Sequence, residues 1–181
     1  MQVEKTEFDG LLIFQPKIFK DERGFFFESW NKSVFKSLGL NISFIQDNQS
    51  VSKKNVLRGL HFQNHPHGQG KLVRVTKGSV IDVVLDLRKD SKTYGKHFKY
   101  KLSDQNATMI WIPYGFAHGF VALEDQTVFQ YKCDAFYNTE SEGCIAWNDP
   151  SLGIDWGIKN PIVSSKDTTD GKLFKDVHLI Y

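Results

Sequence analysis

Gly59-Leu60-His61-Phe62-Gln63-Asn64-His65-Pro66-His67-Gly68-Gln69-Gly70-Lys71, continued by Leu72-Val73-Arg74-Val75 and closed by Gly78, is the stretch from which the fold can be read. Counting Arg58 in front of it, three histidines, an arginine and a lysine fall within fourteen residues. A second stretch, Pro113-Tyr114-Gly115-Phe116-Ala117-His118, again sets turn residues ahead of a histidine. Glycine and proline at such intervals mark turns between short strands. A solvated surface loop has little use for so much proton-transfer and anion-binding chemistry, so the cluster marks a pocket.

The rest of the chain reads the same way. Val80 to Leu87 alternates, with Ile81, Val83, Leu85 and Leu87 on one face, and Lys77-Gly78 before it is a hairpin turn. Ile42 to Gln46, Val56 to Gln63, Lys71 to Thr76, His97 to Leu102, Thr108 to Ile112, Gly119 to Leu123 and Thr127 to Cys133 are further strand candidates. Leu11 to Phe14, stopped by Pro16, is an edge or entry strand, and Phe25 to Trp30 is a strand entered through the turn at Asp21-Glu22-Arg23-Gly24. One short helix is expected: Asn31 caps it, Val34, Phe35 and Leu38 share a face, and Gly39 ends it. The last thirty residues read as irregular structure lying over the barrel. Short strands with turns every ten residues or so predict an all-β sandwich or jelly roll with a few short helices, one domain over residues 1–181.

Composition narrows the function. Aromatics make up 14% of the chain, fifteen of them Phe, which suits a core of rings on strands. A net charge of +2 is too small to argue for nucleic acid, though it permits a basic pocket for an anionic ligand. No run approaches a membrane-spanning length, and Met1-Gln2-Val3-Glu4-Lys5 lacks a signal-peptide pattern. Cys133 and Cys144 fit neither a zinc motif nor a disulfide framework and read as buried free thiols of a cytoplasmic protein.

The spacing from Gly59 through His65, His67 and position 71 to Gly78, with Pro113-x-Gly115-x-x-His118 after it, resembles the two signatures of the cupin jelly roll. In metal-binding cupins the two histidines, a glutamate at position 71 and the later histidine hold the ion. Lys71 stands there instead, and an ammonium beside a divalent cation is repulsive, so no metal is expected. A pocket holding Arg58, His61, Lys71 and His118 suits an anionic ligand and a proton-transfer reaction. Tyr131, which shares a strand face with Phe129 and Cys133, offers an acid. Asp167 offers a carboxylate able to orient a histidine.

Asp21-x-Arg23-Gly24-x-Phe26, Gln46-Asp47-Asn48, Arg58-Gly59-Leu60-His61-Phe62-Gln63 and Gln69-Gly70-Lys71-Leu72-Val73-Arg74-Val75 follow one another in order. Pro113 to Phe120, Tyr131, Trp147-Asn148-Asp149-Pro150 and Ser165-Lys166-Asp167 complete the series. Together they resemble the dTDP-4-dehydrorhamnose 3,5-epimerase family across about residues 8 to 170. Departures are mild: Phe62 stands where Tyr is commoner, Gly68 where Ala is, and Phe136 precedes Tyr137 where two tyrosines are common.

The resemblance implies a cofactor-independent isomerase of carbohydrate biosynthesis, supplying lipopolysaccharide or capsule polysaccharide. It would invert C3, C5 or both of a nucleoside-diphosphate-linked 4-keto sugar. His61 suits the base, since an ordinary imidazole is largely neutral at pH 7. Asp167 would hold its tautomer, Tyr131 would be the acid across the ring, and Lys71 would meet the enolate oxygen. Arg23, Phe25, Glu28, Gln46, Asn48, Arg58, His118, Tyr137, Glu142 and Lys166 would contact the nucleotide-sugar. The family commonly completes this pocket in a homodimer by exchanging the N-terminal strand, so that Arg23, Phe25 and Glu28 would serve the neighbouring subunit.

None of these residues reads the base, so a GDP-linked heptose or 6-deoxy sugar stands as the alternative to a dTDP-linked hexose. A metal-dependent cupin enzyme and a non-catalytic sugar-binding jelly roll are the readings from other classes. Arg58 and His61 also have opposite parity on a straight strand, so both can face the pocket only if Gly59 permits a bulge.

Overall fold

A computed structural model describes residues 1–178. The chain opens with β1 (Gln2–Lys5) and β2 (Leu12–Gln15), then the hairpin β3 (Phe19–Asp21) and β4 (Gly24–Phe26), and then α1 (Lys32–Ser37). Eight strands build most of the sandwich: β5 (Gln46–Ser52), β6 (Val56–Gln63), β7 (Lys71–Lys77), β8 (Ser79–Asp86), β9 (His97–Ser103), β10 (Met109–Ile112), β11 (Phe116–Ala122) and β12 (Thr127–Cys133). Short β13 (Glu142–Cys144) and β14 (Ile162–Val163) and the helix α2 (Ser165–Asp170) follow. One sheet runs β1-β2-β10-β7-β12-β5 and the other β13-β6-β11-β8-β9, with β14 parallel to the start of β6. This is the expected all-β jelly roll.

Period-two alternation puts one set of side chains between the sheets and the other outside. Val73, Val75 and Phe129 of the first sheet meet Val80, Val84, Phe116 and Phe120 of the second in the inner core. Phe120 and Phe129 stack at 4.2 Å. The outer face of the second sheet, with Leu57, Leu60, Phe62, Val83, Leu85 and Leu87, is covered by Ile145, Leu152 and Trp156 of the C-terminal segment. That cover is why β8 is apolar on both faces. Up to residue 178 the C-terminal stretch lies over the barrel as read, though β14 and α2 make it less irregular than expected, and residues 179–181 lie outside the described residues.

Outside the first sheet, Phe14, Leu72, Met109 and Trp111 are packed by Phe35 of α1 and by Trp30, Ile42 and Phe44. Asn31 caps α1 as expected, its Oδ1 accepting from the N–H groups of Ser33 (2.9 Å) and Val34 (3.4 Å). Phe35 stacks on Phe14 at 4.6 Å. Burying a ring of this size stabilises by roughly 1.5–3 kcal/mol, so one ring suffices to hold so short a helix.

Three expectations are corrected. Ile42 to Gln46 is not a strand: pairing begins at Gln46 and runs through the polar residues to Ser52, against β12. Backbone pairing sets that strand, while Ile42 and Phe44 serve the outer cluster. Phe25 to Trp30 leaves the β3–β4 hairpin after Phe26, because Trp30 turns back into the same cluster. The strand at Leu12 is internal, with β1 on its outer side. Both cysteines are buried and unbridged. No helix of the described residues is long and apolar enough to cross a membrane.

Candidate active site

The site is built on β6 and β11. His61 pairs with His118 and Arg58 with Phe120, so three steps along β6 match two along β11. The extra residue is a bulge at Gly59, where φ is +119°. It lets Arg58 and His61 share the pocket while Leu57, Leu60 and Phe62 face the outer core. Only glycine fits on both strands here. A Cβ at Gly59 would stand 2.6 Å from the Gly119 Cα, and one at Gly119 would stand 2.7 Å from the Arg58 carbonyl oxygen.

Asp167 lies in the first turn of α2, whose N-terminus is capped by the Ser164 hydroxyl accepting from the Asp167 N–H at 3.0 Å. Its Oδ1 is 2.8 Å from His61 Nε2, and its Oδ2 accepts from the Gly59 N–H at 3.2 Å. One buried carboxylate thus fixes both the imidazole and the bulge that presents it. Burial alone would raise the Asp167 carboxyl, but the hydrogen bond and charge of His61 and the Gly59 N–H hold it below the ordinary carboxylate range.

A second His–Asp pair lies beside the first and escaped the sequence reading. His118 Nε2 is 2.7 Å from Asp82 Oδ2, and Asp82 is fully buried with its other oxygen unpartnered. The signal was there: Asp82 shares the inward face of β8 with Val80 and Val84, and a carboxylate at a core position demands a partner.

Lys71 projects from the start of β7 with its ammonium 5.9 Å from the centre of the Tyr131 ring. Among the described residues it makes no salt bridge, and burial pulls its pKa below the ordinary lysine value, with the Cys133, Glu142 and Asp82 groups opposing that shift. Tyr131 comes from β12. Burial, reinforced by Cys133, holds its phenol protonated beyond the usual tyrosine range, and its hydroxyl has no hydrogen-bond partner among the described residues. An enclosed cation and an uncommitted phenol thus face one cavity of about 370 Å³, with Asn48, Arg58, His61, His118, Lys166 and Asp167 on its walls.

Beyond Asn48 and Lys166 of the cavity wall, polar bonds run on to Gln46, Tyr137 and Glu142, which do not line the cavity. Tyr137 Oη donates to Glu142 Oε2 at 2.8 Å, and Lys166 Nζ bonds the same carboxylate oxygen. The Tyr137 N–H donates to Gln46 Oε1 at 3.0 Å, and Gln46 Nε2 to Asn48 Oδ1 at 3.2 Å. Within one chain, Arg23, Phe25 and Glu28 are not brought to this cavity. Arg23 sits at the tip of the β3–β4 hairpin, paired with Asp21, and Phe19, Phe25 and Phe26 on that hairpin are 53, 60 and 67% exposed. His65 and His67 are exposed on a turn, so the cupin ligand set is not assembled.

The model of the dTDP-4-dehydrorhamnose 3,5-epimerase family matches residues 5–175. The dTDP-4-dehydrorhamnose 3,5-epimerase of Shigella flexneri is 50% identical over 177 residues, covering 97% of each chain. The crystal structure of the enzyme of that name from Elizabethkingia anophelis superposes with a TM-score of 0.92 at 48% identity, over 97% of both chains. A dTDP-6-deoxy-D-glucose-3,5-epimerase from Legionella pneumophila, solved with dTDP-4-keto-L-rhamnose, superposes with a TM-score of 0.93 at 42% identity, over 99% of this chain and 98% of that one. The matched range includes β6, β7 and α2, which carry His61, Lys71 and Asp167, and the chain belongs to the dTDP-4-dehydrorhamnose 3,5-epimerase family of isomerases.

Proposed function

We propose that this cavity inverts C3 and C5 of a dTDP-linked 4-keto-6-deoxyhexose through an enolate, using side chains alone. The observation that carries the reading is the convergence of a His–Asp pair, an unpartnered phenol and an unpartnered ammonium on one cavity. A ketone at C4 acidifies the protons on both neighbouring carbons. Removing either proton needs a base, a cation at the developing oxyanion and an acid on the opposite face.

Asp167 accepts the Nε2–H of His61, which leaves Nδ1 to take the substrate proton, and its charge offsets that of the imidazolium. Lys71 meets the enolate oxygen. Tyr131, kept protonated by burial, returns a proton from the other side. A non-catalytic sugar-binding module has no use for these three uncommitted groups.

Tyr131→Phe separates the two halves of this scheme. Deuterium from solvent should still enter the substrate, because the enolate forms and is quenched from the side of His61. Net inversion should fall about 10²–10⁴-fold, the usual contribution of a general acid. NMR of the ketosugar in deuterated water reports both rates, and equal loss of wash-in and inversion would remove Tyr131 from the acid role.

The nucleotide is held by charge. Arg58, Lys166 and, across a dimer, Arg23 reach the diphosphate, where charge-assisted bonds supply much of the affinity. Free nucleoside diphosphate should therefore compete with substrate far better than the monophosphate. The dTDP-sugar bound by the Legionella relative supports thymidine as the base. Titration of dTDP beside GDP tests this: tighter GDP binding would move the substrate to the GDP-linked alternative and leave the chemistry standing.

The exposed phenylalanines of the β3–β4 hairpin support a homodimer in which Arg23, Phe25 and Glu28 complete the partner's cavity. Co-expressing Arg23→Ala with His61→Asn should yield mixed dimers with activity that neither parent has, because one cavity per dimer is then intact. No recovery in purified mixed dimers would place Arg23 outside the shared site.

A further inference from the structure

We propose that Cys144, together with His61 and Asp167, forms a three-donor site for a soft divalent cation of the zinc class, and that filling it switches the enzyme off. One donor atom from each of the three residues lies within 4.8 Å of the other two. Tetrahedral zinc holds imidazole, carboxylate and thiolate donors at roughly 2.0–2.3 Å, which puts the donors somewhat under 4 Å apart. Fitting an ion therefore needs the thiol to move slightly inward and the His61–Asp167 pair, 2.8 Å apart, to open slightly.

The three donors come from three elements already locked together. Cys144 on β13 is the cross-strand partner of His61 on β6, so both side chains leave the sheet on one side. Asp167 descends from α2 onto the same spot, anchored by the Gly59 N–H. His61 Nε2 and Asp167 Oδ1, 2.8 Å apart, share a proton that a metal ion would replace.

The charge around the thiol favours a cation. Burial pushes the Cys144 thiol up to about 12, and the charges of Asp167, Asp170 and Glu142 add to that, with Lys166 as the opposing charge. Those carboxylates disfavour a bare thiolate but are neutralised by a dication. Binding releases one proton: the thiol hydrogen goes to solvent, while the imidazole hydrogen moves from Nε2 to Nδ1. The dication, one thiolate and one carboxylate then sum to zero charge. Thiolate and imidazole select zinc-like ions over magnesium or calcium, and a fourth position stays open to water. With Nε2 on the metal and Nδ1 protonated, His61 has no lone pair for a substrate proton. The site shares no residue with the ligand set of metal-binding cupins: His65 and His67 face water here, and His118 is buried against Asp82.

The inhibition rests on the reading of His61 as base; the binding does not. Cobalt(II) titration of the metal-free chain reads binding alone. A thiolate-to-cobalt charge-transfer band in the near ultraviolet should appear in the wild type and in Cys133→Ser, and be lost in Cys144→Ser. Zinc should inhibit turnover, and Cys144→Ser, or Cys144→Ala if the first variant folds poorly, should weaken that inhibition at least ~10-fold with metal-free turnover retained. No band in the wild type, or undiminished zinc inhibition in both Cys144 variants, overturns the site and leaves His61 as base untouched. A band through Cys144 with turnover unaffected at saturation overturns the switch and counts against His61 as base.

Discussion

His61→Asn abolishes exchange at both C3 and C5, lowering wash-in of solvent deuterium by about 10⁴-fold, the upper end of what a general base contributes. The loss should reach both carbons because His61 is the more accessible of the cavity's two carboxylate-locked imidazoles, its side chain 31% exposed against 9% for His118. Asn leaves a smaller polar amide that has no lone pair basic enough to take a carbon acid's proton. Binding of dTDP should survive, since the diphosphate contacts proposed above fall to other residues. Proton NMR in deuterated water follows each carbon separately. Wild-type exchange at either one would hand the base role there to another group, and His118, paired with Asp82, stands nearest to receive it.

How much of this site was legible in sequence depended on which interaction fixed each part. The inner strands were legible because packing fixed them: the alternation of Val80 to Leu87 reports a buried sheet directly. Polar β5 was not, because its seven pairs with β12 are made by backbone groups that composition does not report. His61, Lys71 and Tyr131 could be named from residue type and order, yet their shared cavity depends on the bulge at Gly59, which parity posed only as a problem. Asp167 could be named as a carboxylate to orient a histidine, but its place against His61 could not be read. α2 has six residues and no apolar stripe, and its place is set by the Ser164 cap and by the bonds of Asp167 to His61 and Gly59. Asp82 was hidden inside a strand whose pattern otherwise spoke only of packing.

Lys71→Met should lower turnover about 10²–10³-fold, the usual loss when one donor to a developing oxyanion is removed. It should also make the protein more stable. Lys71 is an enclosed cation without a salt bridge among the described residues, and desolvation depresses its pKa. The cost of burying its charge is fully present below that depressed value. It is relieved as pH rises from there towards the ordinary lysine value, because over that span the unfolded chain binds the proton and the folded chain does not. Methionine keeps the length of the stem and removes the charge, so the melting temperature should rise by an amount equivalent to on the order of 1–4 kcal/mol, as when buried charges elsewhere give way to apolar side chains. The same titration predicts that wild-type turnover falls as pH climbs through the depressed Lys71 value. Lys71→Arg, whose charge persists, should move that fall upward whatever its absolute rate. The paired measurement is decisive. If the Met variant lost both activity and stability, Lys71 would be held by interactions that the folded chain needs, and its role as the waiting cation would be lost.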